Sequence, residues 1–289
     1  MRAATVVDGR IEVEERPDPV PRDGELLIRV RAAGINGADL AQRAGRYPPP
    51  AGATDVPGLE CAGETEDGRR VMALLPGGGQ AELAVAHETH VLPVPDGMTW
   101  DEAGGFVEVF ATAHDALFTQ AELAAGERLL VNGAAGGVGV AAVQLGLAAG
   151  ASVTANARHH LDELRALGAD TTVEGEYDVI LELVGGDNLT SNLERLALKG
   201  RISVIGTGAG SRAEVDFGYL TRKRGRIHGS TLRARSIEEK TRVMAALGAF
   251  VAAHTFRVPV EETFPLEQTQ EAYERFRAGG KFGKIVVRP

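Results

Sequence analysis

This 289-residue chain has one cysteine, Cys61, one tryptophan, four tyrosines and nine phenylalanines. A single thiol excludes an internal disulfide and any multi-cysteine zinc site. Positive charge is also short. Against 40 Asp and Glu stand 31 Lys and Arg, a net charge of −9, and such a surface repels nucleic acid and anionic lipid. No stretch approaches the ~18 continuous apolar residues of a membrane span. The opening Met1-Arg2-Ala3-Ala4-Thr5-Val6-Val7 is too short an apolar run for a signal peptide. These absences set the expectation of a cytoplasmic protein with neither nucleic-acid nor membrane partners. What the chain has in excess is glycine, 37 residues, which beside 44% apolar residues fits many tight turns in a packed fold.

The glycines concentrate meaning in one place. Arg128 to Gly139 reads Arg-Leu-Leu-Val-Asn-Gly-Ala-Ala-Gly-Gly-Val-Gly, an apolar strand running into a glycine turn, and the helical stretch Val140 to Ala149 follows. Gly136 and Gly137 carry no Cβ, so a pyrophosphate can approach the amides at the helix start, where unpaired N–H groups and the helix dipole favour an anion. Ala135 and Val138 belong to the same turn. Gly139 lets the helix pack close on the strand. In the usual Gly-x-Gly-x-x-Gly fingerprint the first glycine would stand at Ala134, so the motif rests on its strand-turn-helix context. About twenty residues on, where an acid would hold the ribose 2′-hydroxyl of NAD, the chain reads Thr154-Ala155-Asn156-Ala157-Arg158-His159-His160 and has no carboxylate. Arg158 suits a 2′-phosphate, which points to NADPH.

Around this unit the texture changes. The first hundred residues read as strands and turns, with Glu25 to Arg31, Val71 to Leu75 and Ala81 to Ala86 as strands, a hairpin turn at Asp67-Gly68, and many prolines. From Trp100 onward helices appear, the first capped by Thr99 with Glu102, and Ala111 to Phe118 continues helical. Beyond Arg158 come a helix at Leu161 to Leu167, a strand at Tyr177 to Val184, a helix at Asn188 to Leu198 and strands at Arg201 to Ile205 and Arg226 to Gly229. The pattern is a doubly wound α/β sheet. Val184, Gly206 and Thr207 stand at the carboxyl ends of its strands, where such sheets bind ligands. A helix capped by Ser236 with Glu239 runs to about Ala253, and the tail ends in the strand Lys284 to Val287.

Several segments carry a family resemblance: Ala33-Gly34-Ile35-Asn36, Gln42 through Tyr47-Pro48-Pro49-Pro50, Gly58-Leu59-Glu60, the glycine turn, Gly229-Ser230-Thr231-Leu232-Arg233, and Gly280-Lys281 through Gly283-Lys284-Ile285-Val286. Together they resemble the zinc-free, zeta-crystallin-like quinone oxidoreductases of the medium-chain dehydrogenase/reductase superfamily. The resemblance implies a GroES-like β-barrel catalytic domain, residues 1–112 completed by 232–289, and a Rossmann NADPH-binding domain, residues 113–231. It implies hydride delivery from NADPH to a quinone, and a homodimer paired through the last Rossmann strand, Arg226 to Gly229. Where zinc alcohol dehydrogenases place a cysteine and a histidine this chain has Asn36 and Leu59, and Cys61 with scattered histidines supplies no ligand set.

By resemblance Tyr47 lines the substrate cleft, where its hydroxyl would meet the developing oxyanion; a ring stacked on Pro48 to Pro50 is the structural alternative. Asn36 would hold the nicotinamide ribose or a carbonyl oxygen, or else act as a turn asparagine bonding its own backbone. Thr112, Ser230, Leu232 and Lys281 join the cofactor set on the same ground, while Glu60 is expected to be structural. Between Asp170 and Tyr177 the resembling enzymes insert a helix that is absent here, which leaves 2′-phosphate selectivity to Arg158 with His159 or His160. A 2-alkenal or enone as acceptor, and a catalytically weak NADPH-binding structural or sensing protein, are the competing expectations.

Overall fold

The computed structural model describes residues 1–289 and divides into two compact units, Met1–Val109 with Arg233–Pro289, and Phe110–Leu232. The first unit is β-rich. Its strands are β1 (Arg2–Val7), β2 (Arg10–Glu15), β3 (Glu25–Gly34), β4 (Glu60–Thr65), β5 (Arg70–Leu74), β6 (Leu83–His87) and β7 (Val91–Pro93), with helices α1 (Gly37–Arg43) and α2 (Trp100–Gly104). Helix α3 (Val107–His114) carries the chain into the second unit, where the backbone turns π-helical over Asp115–Gln120.

The second unit alternates strand and helix: β8 (Arg128–Asn132), α4 (Gly137–Ala148), β9 (Ser152–Asn156), α5 (Leu161–Ala166), β10 (Tyr177–Glu182), α6 (Asn188–Glu194), β11 (Leu196–Val204), α7 (Phe217–Lys223) and β12 (Arg226–Gly229). The chain then re-enters the first unit with α8 (Ile237–Ala253), β13 (Val260–Pro265), α9 (Thr269–Ala278) and β14 (Lys284–Arg288).

In the first unit β13, β14, β3, β4, β5 and β7 neighbour one another in that order, β6 adds to β3, and β1 and β2 form a separate antiparallel hairpin. Asp67-Gly68 lies in the turn joining β4 to β5, with Gly68 at φ +81°. Of the cores that hold the unit, one gathers Ile28, Val30, Cys61, Val71 and Leu75, a second gathers Ile11, Ile35, Leu266, Tyr273, Ile285 and Val287, and a smaller one gathers Ala3, Val56 and Ala81. Burying each large aliphatic residue contributes about 1.5–3 kcal/mol. Both expected capping boxes are present, Thr99 with Glu102 on α2 and Ser236 with Glu239 on α8.

The second unit is one parallel sheet in the order β12-β11-β10-β8-β9. A further strand beyond β9 is reduced to a single parallel bridge, Thr154 to Asp170, after which the chain returns without a helix to β10. The strand order reverses direction between β8 and β10, and the crevice outside their carboxyl ends is where such sheets take ligands. Two expectations need correction. The helix from Asn188 ends at Glu194, not Leu198, because Leu196 turns into the sheet opposite Tyr177 and is fully buried in the core with it. The strand then bulges, with Lys199 at φ +65°, before Arg201 regains register with Val179. In the first unit Gly37–Arg43, read as part of a strand-and-turn region, is a helix.

Candidate active site

Each strand of the second unit ends in a loop at the carboxyl edge, and these loops bring the cofactor candidates together. After β8, Gly133 takes φ +80°, and a Cβ on Gly139 would stand 2.5 Å from Gly133 O and 2.6 Å from Ala134 Cα. Only glycine lets α4 start that close to the strand. Gly136 caps the helix in extended conformation with no side-chain cap, and no acidic residue stands in the first turn. The first-turn amides of Gly137, Val138 and Gly139 have no intrahelical acceptor. Ala135, Gly136, Gly137 and Val138 are all half-buried. This cradle fits a pyrophosphate: donors without acceptors, a helix dipole, and no carboxylate to repel the anion.

After β9 the chain passes Arg158 and His159, both exposed, before His160 enters α5 in left-handed conformation. The acids that follow are engaged: Asp162 with Arg165 at 2.6 Å and Glu163 with His160 at 2.9 Å. Arg158 is exposed and forms no ion pair with these acids.

Beneath these loops lies a buried polar belt that sequence reasoning missed. Glu182, 1% exposed at the end of β10, has no cation partner. Its Oε1 accepts from Val184 N at 2.7 Å, Gly185 N at 2.8 Å and Asn188 Nδ2 at 3.4 Å. Its Oε2 accepts from Asn132 Nδ2 at 2.8 Å and Asn192 Nδ2 at 2.7 Å. Asn132 also donates to Asn192 Oδ1 at 2.7 Å, and its own Oδ1 accepts from Asn156 Nδ2 at 2.8 Å. A carboxylate only accepts, so the amide orientations are fixed by it. The belt crosses the ends of β9, β8 and β10, which are opposed in register there. The signal available in sequence was a lone acid in the apolar run Val-Ile-Leu-Glu-Leu-Val.

The other sequence-predicted residues of this unit take mixed positions. Val184, Gly206 and Thr207 occupy two adjoining loops: a Cβ on Gly206 would stand 2.5 Å from Leu183 C, and Ala209 N donates to Val184 O at 2.9 Å. Ser230 Oγ donates to Asp115 Oδ2 at 2.9 Å, Leu232 is buried at 4% exposure, and Thr112 lies half-buried on α3.

In the first unit Asn36 belongs to a buried charge cluster. Lys284 Nζ donates to Glu60 Oε1 at 2.7 Å, Asn36 Oδ1 at 2.7 Å and Ile35 O at 3.0 Å. Asn36 Nδ2 donates to Glu60 Oε1 at 2.9 Å, and Glu60 Oε2 accepts from Glu108 N at 3.0 Å. Gly34 leaves room for the pair, since a Cβ there would meet Lys284 Cε at 2.8 Å. Asp39, also fully buried, accepts from Asn36 N at 2.8 Å and Gly58 N at 3.1 Å, and burial lifts its pKa to about 6. The Asn36 amide is thus held at both ends by side chains, and it also makes the local backbone contacts of a turn asparagine, its Nδ2 reaching Gly34 O at 3.4 Å and its side chain capping α1 with Asp39.

Tyr47 is half-buried, and its ring lies 5.2 Å from the guanidinium carbon of Arg233. Arg233, 6% exposed, has only neutral acceptors: Pro76 O at 2.8 and 2.9 Å, Gln42 Oε1 at 2.8 Å and Tyr47 O at 3.2 Å. Burial pulls its pKa down. The clamp ties α1, the Tyr47 loop and the Pro76 loop into one body. Lys281 turns onto its own chain, donating to Gly283 O at 2.8 Å above the Phe276 ring, and burial followed by the charge of Lys284 lowers its pKa to about 8. No three His, Cys, Asp or Glu side chains converge to hold a metal ion, and no helix is long and apolar enough to cross a membrane.

Comparison with known proteins places this arrangement. The alcohol dehydrogenase GroES-like domain pattern matches residues 22–96, and the zinc-binding dehydrogenase pattern matches residues 149–287. A quinone oxidoreductase of Lama guanicoe is 31% identical, covering 93% of this chain and 90% of its own length; that of Homo sapiens is 29% identical over the same shares. Among solved structures, the quinone oxidoreductase from Thermus thermophilus, described with its NADPH complex, is 31% identical, with a TM-score of 0.87 and 100% of both chains covered. The chain belongs to the quinone oxidoreductase family of the medium-chain dehydrogenase/reductase superfamily.

Proposed function

We propose that the protein is a zinc-independent oxidoreductase that transfers a hydride from NADPH to a quinone. The observation that carries the NADPH reading is the pairing of an uncapped glycine cradle at α4 with an exposed Arg158 and no free acid behind β9. The first-turn amides of Gly137 and Val138 would take the pyrophosphate, with Ala135 and Gly136 shaping the turn, and Arg158 the 2′-phosphate, while Val184, Gly206 and Thr207 would line the nicotinamide half. The bound cofactor supplies the hydride. Asn36 would meet a ribose hydroxyl at its amide, which Lys284 fixes in place, and Tyr47 would donate to the oxygen that gains negative charge. Ser230, Leu232, Thr112 and Lys281 complete the proposed set as packing around the cofactor. Metal-independence is supported by the donor set: Asn36 and Glu60 are committed to an ammonium, with no cluster of ligands nearby.

A 2-alkenal or enone is the second acceptor class. A polyketide synthase of Streptomyces halstedii matches 92% of this chain at 31% identity within 5% of its own length, so likeness alone does not tie the chain to quinones. NADPH oxidation followed at 340 nm with benzoquinone, phenanthrenequinone and 2-alkenals, with NADH and with chelator, separates these readings. Fastest turnover with a quinone, insensitive to chelator, is the expected result; NADPH binding without turnover would leave a binding protein. Arg158→Ala should raise the Michaelis constant for NADPH roughly 10–100-fold and that for NADH little, the loss expected of a charge-assisted contact. Equal effects on both would remove the selectivity assignment.

Strand β12 has β11 on one side only, which leaves a four-residue edge able to pair with its copy in an isologous dimer. Light scattering should then give twice the 30.4 kDa of one chain, and a monomer at micromolar concentration would refute it.

A further inference from the structure

The carboxyl-edge loops divide into two groups by what holds them. The cradle after β8 and the Arg158 loop after β9 face the pyrophosphate and the adenosine end in the reading above, on which this inference rests. The loops after β10 and β11 remain for the nicotinamide end, across the point where strand order reverses. These last two are tied to each other. Gly186 N donates to Gly210 O at 2.9 Å and Ala209 N to Val184 O at 2.9 Å, while a Cβ on Gly185 would stand 2.7 Å from both Gly210 O and Thr207 Cα.

Glu182 is the attachment of that pair to the sheet. Its carboxylate takes Val184 N and Gly185 N, its backbone oxygen takes Ile205 N at 3.0 Å and Gly206 N at 3.1 Å, and Asn188 and Asn192 tie it to α6. All five side-chain contacts donate into one buried group that has no cation partner. We propose that Glu182 is a positioning residue for the nicotinamide half of the cofactor site: its carboxylate sets where Val184, Gly206 and Thr207 stand relative to the glycine cradle.

Glu182→Gln keeps the shape and replaces one acceptor by an NH2 facing donors. Asn192 cannot repair this by flipping alone, because its Oδ1 is already the acceptor for Asn132; repair requires Asn132 and Asn156 to turn over with it. The loops should shift while the cradle, held by α4 and the Gly133 turn, stays.

The test is calorimetric affinity of wild type, Glu182→Gln and Asn192→Ala for two ligand pairs, NADPH with 2′-phospho-ADP-ribose and NADH with ADP-ribose. The second member of each pair lacks the nicotinamide. Melting followed by circular dichroism verifies that each variant is folded. Expected is a loss of about tenfold for NADPH in Glu182→Gln, and about threefold in Asn192→Ala, with 2′-phospho-ADP-ribose changed less than twofold, as one or two lost hydrogen bonds imply. Equal losses for both members of a pair, or no loss for the dinucleotide, would overturn the positioning role; should Glu182→Gln fail to fold, Asn192→Ala decides by the same ratio. If wild type prefers the NADH pair, the NADPH reading fails on its own, and the positioning role is judged from that pair. If wild type binds neither pair, both readings fall.

Discussion

Glu60 and Glu182 are equally buried, 0% and 1% exposed, and both accept from backbone amides, yet their charges are met in opposite ways. Glu60 in the first unit has an ammonium, Lys284, at 2.7 Å; Glu182 in the second has two asparagine amides as near and a third at 3.4 Å, with no cation. An ion pair neutralises charge whatever direction it arrives from, so the Glu60 cluster fixes a core. Amide donors are directional and belong to particular loops, so Glu182 fixes where those loops stand. The two solutions therefore fail differently when broken.

The largest effect should come from splitting the ion pair. Glu60→Gln leaves the Lys284 ammonium in a dry core with neutral oxygens and no counter-charge, and should cost about 3–5 kcal/mol. Lys284→Met strands Glu60 and should cost about as much. Joining the two changes removes both charges, so the double variant should lie well above the sum of the singles in urea-unfolding stability. Strict additivity would show that the pair does not act as a unit.

Asp39 sharpens the same side of the comparison, because the cluster holds two carboxylates and one ammonium. Burial raises the folded-state pKa of Asp39 to about 6. The unfolded chain releases that proton near pH 4, so between about pH 4 and 6 the folded state binds more protons. The contribution of this group is greatest below about pH 4 and declines as pH rises through 6, by about 3 kcal/mol in total. The change in urea midpoint from pH 4 to 7 should differ between wild type and Asp39→Asn by this falling contribution, set against the rising one of His90, His114 and His228, whose burial lowers their pKa. An unchanged slope in the variant would mean another group carries it.

Legibility followed the range of the signals. The glycine cradle, the capping boxes at Thr99 and Ser236, the missing acid behind β9 and the edge strand Arg226–Gly229 are local patterns, and they stand where expected. The boundary at Leu196 was misread because a buried leucine continues a helical pattern as well as it starts a strand; only Tyr177 across the sheet decides. Helix α1 spans seven residues, too few for periodicity to speak. Glu182 and Lys284 were silent for a different reason. Each is a single charge in an apolar strand, and the cross-strand partner that commits it, Asn132 for Glu182 and Glu60 for Lys284, lies 50 and 224 residues away in sequence. Asn36 was picked out, but its commitment to Glu60 and Lys284 is a tertiary fact.

The smallest stability effect should come from the same swap at the other glutamate. Glu182→Gln strands no opposite charge; it sets one NH2 against amide donors in place of an acceptor, which should cost about 1–3 kcal/mol against the larger loss at Glu60. The ordering matters more than either value. If both glutamines lowered the urea midpoint alike, the belt would be carrying core stability just as the ion pair does, and its directionality would have no separate meaning. If Glu182→Gln leaves the midpoint nearly intact while Glu60→Gln does not, the second unit has placed its buried carboxylate for geometry, and the part of the molecule that suffers is the loop pair carrying Val184, Gly206 and Thr207.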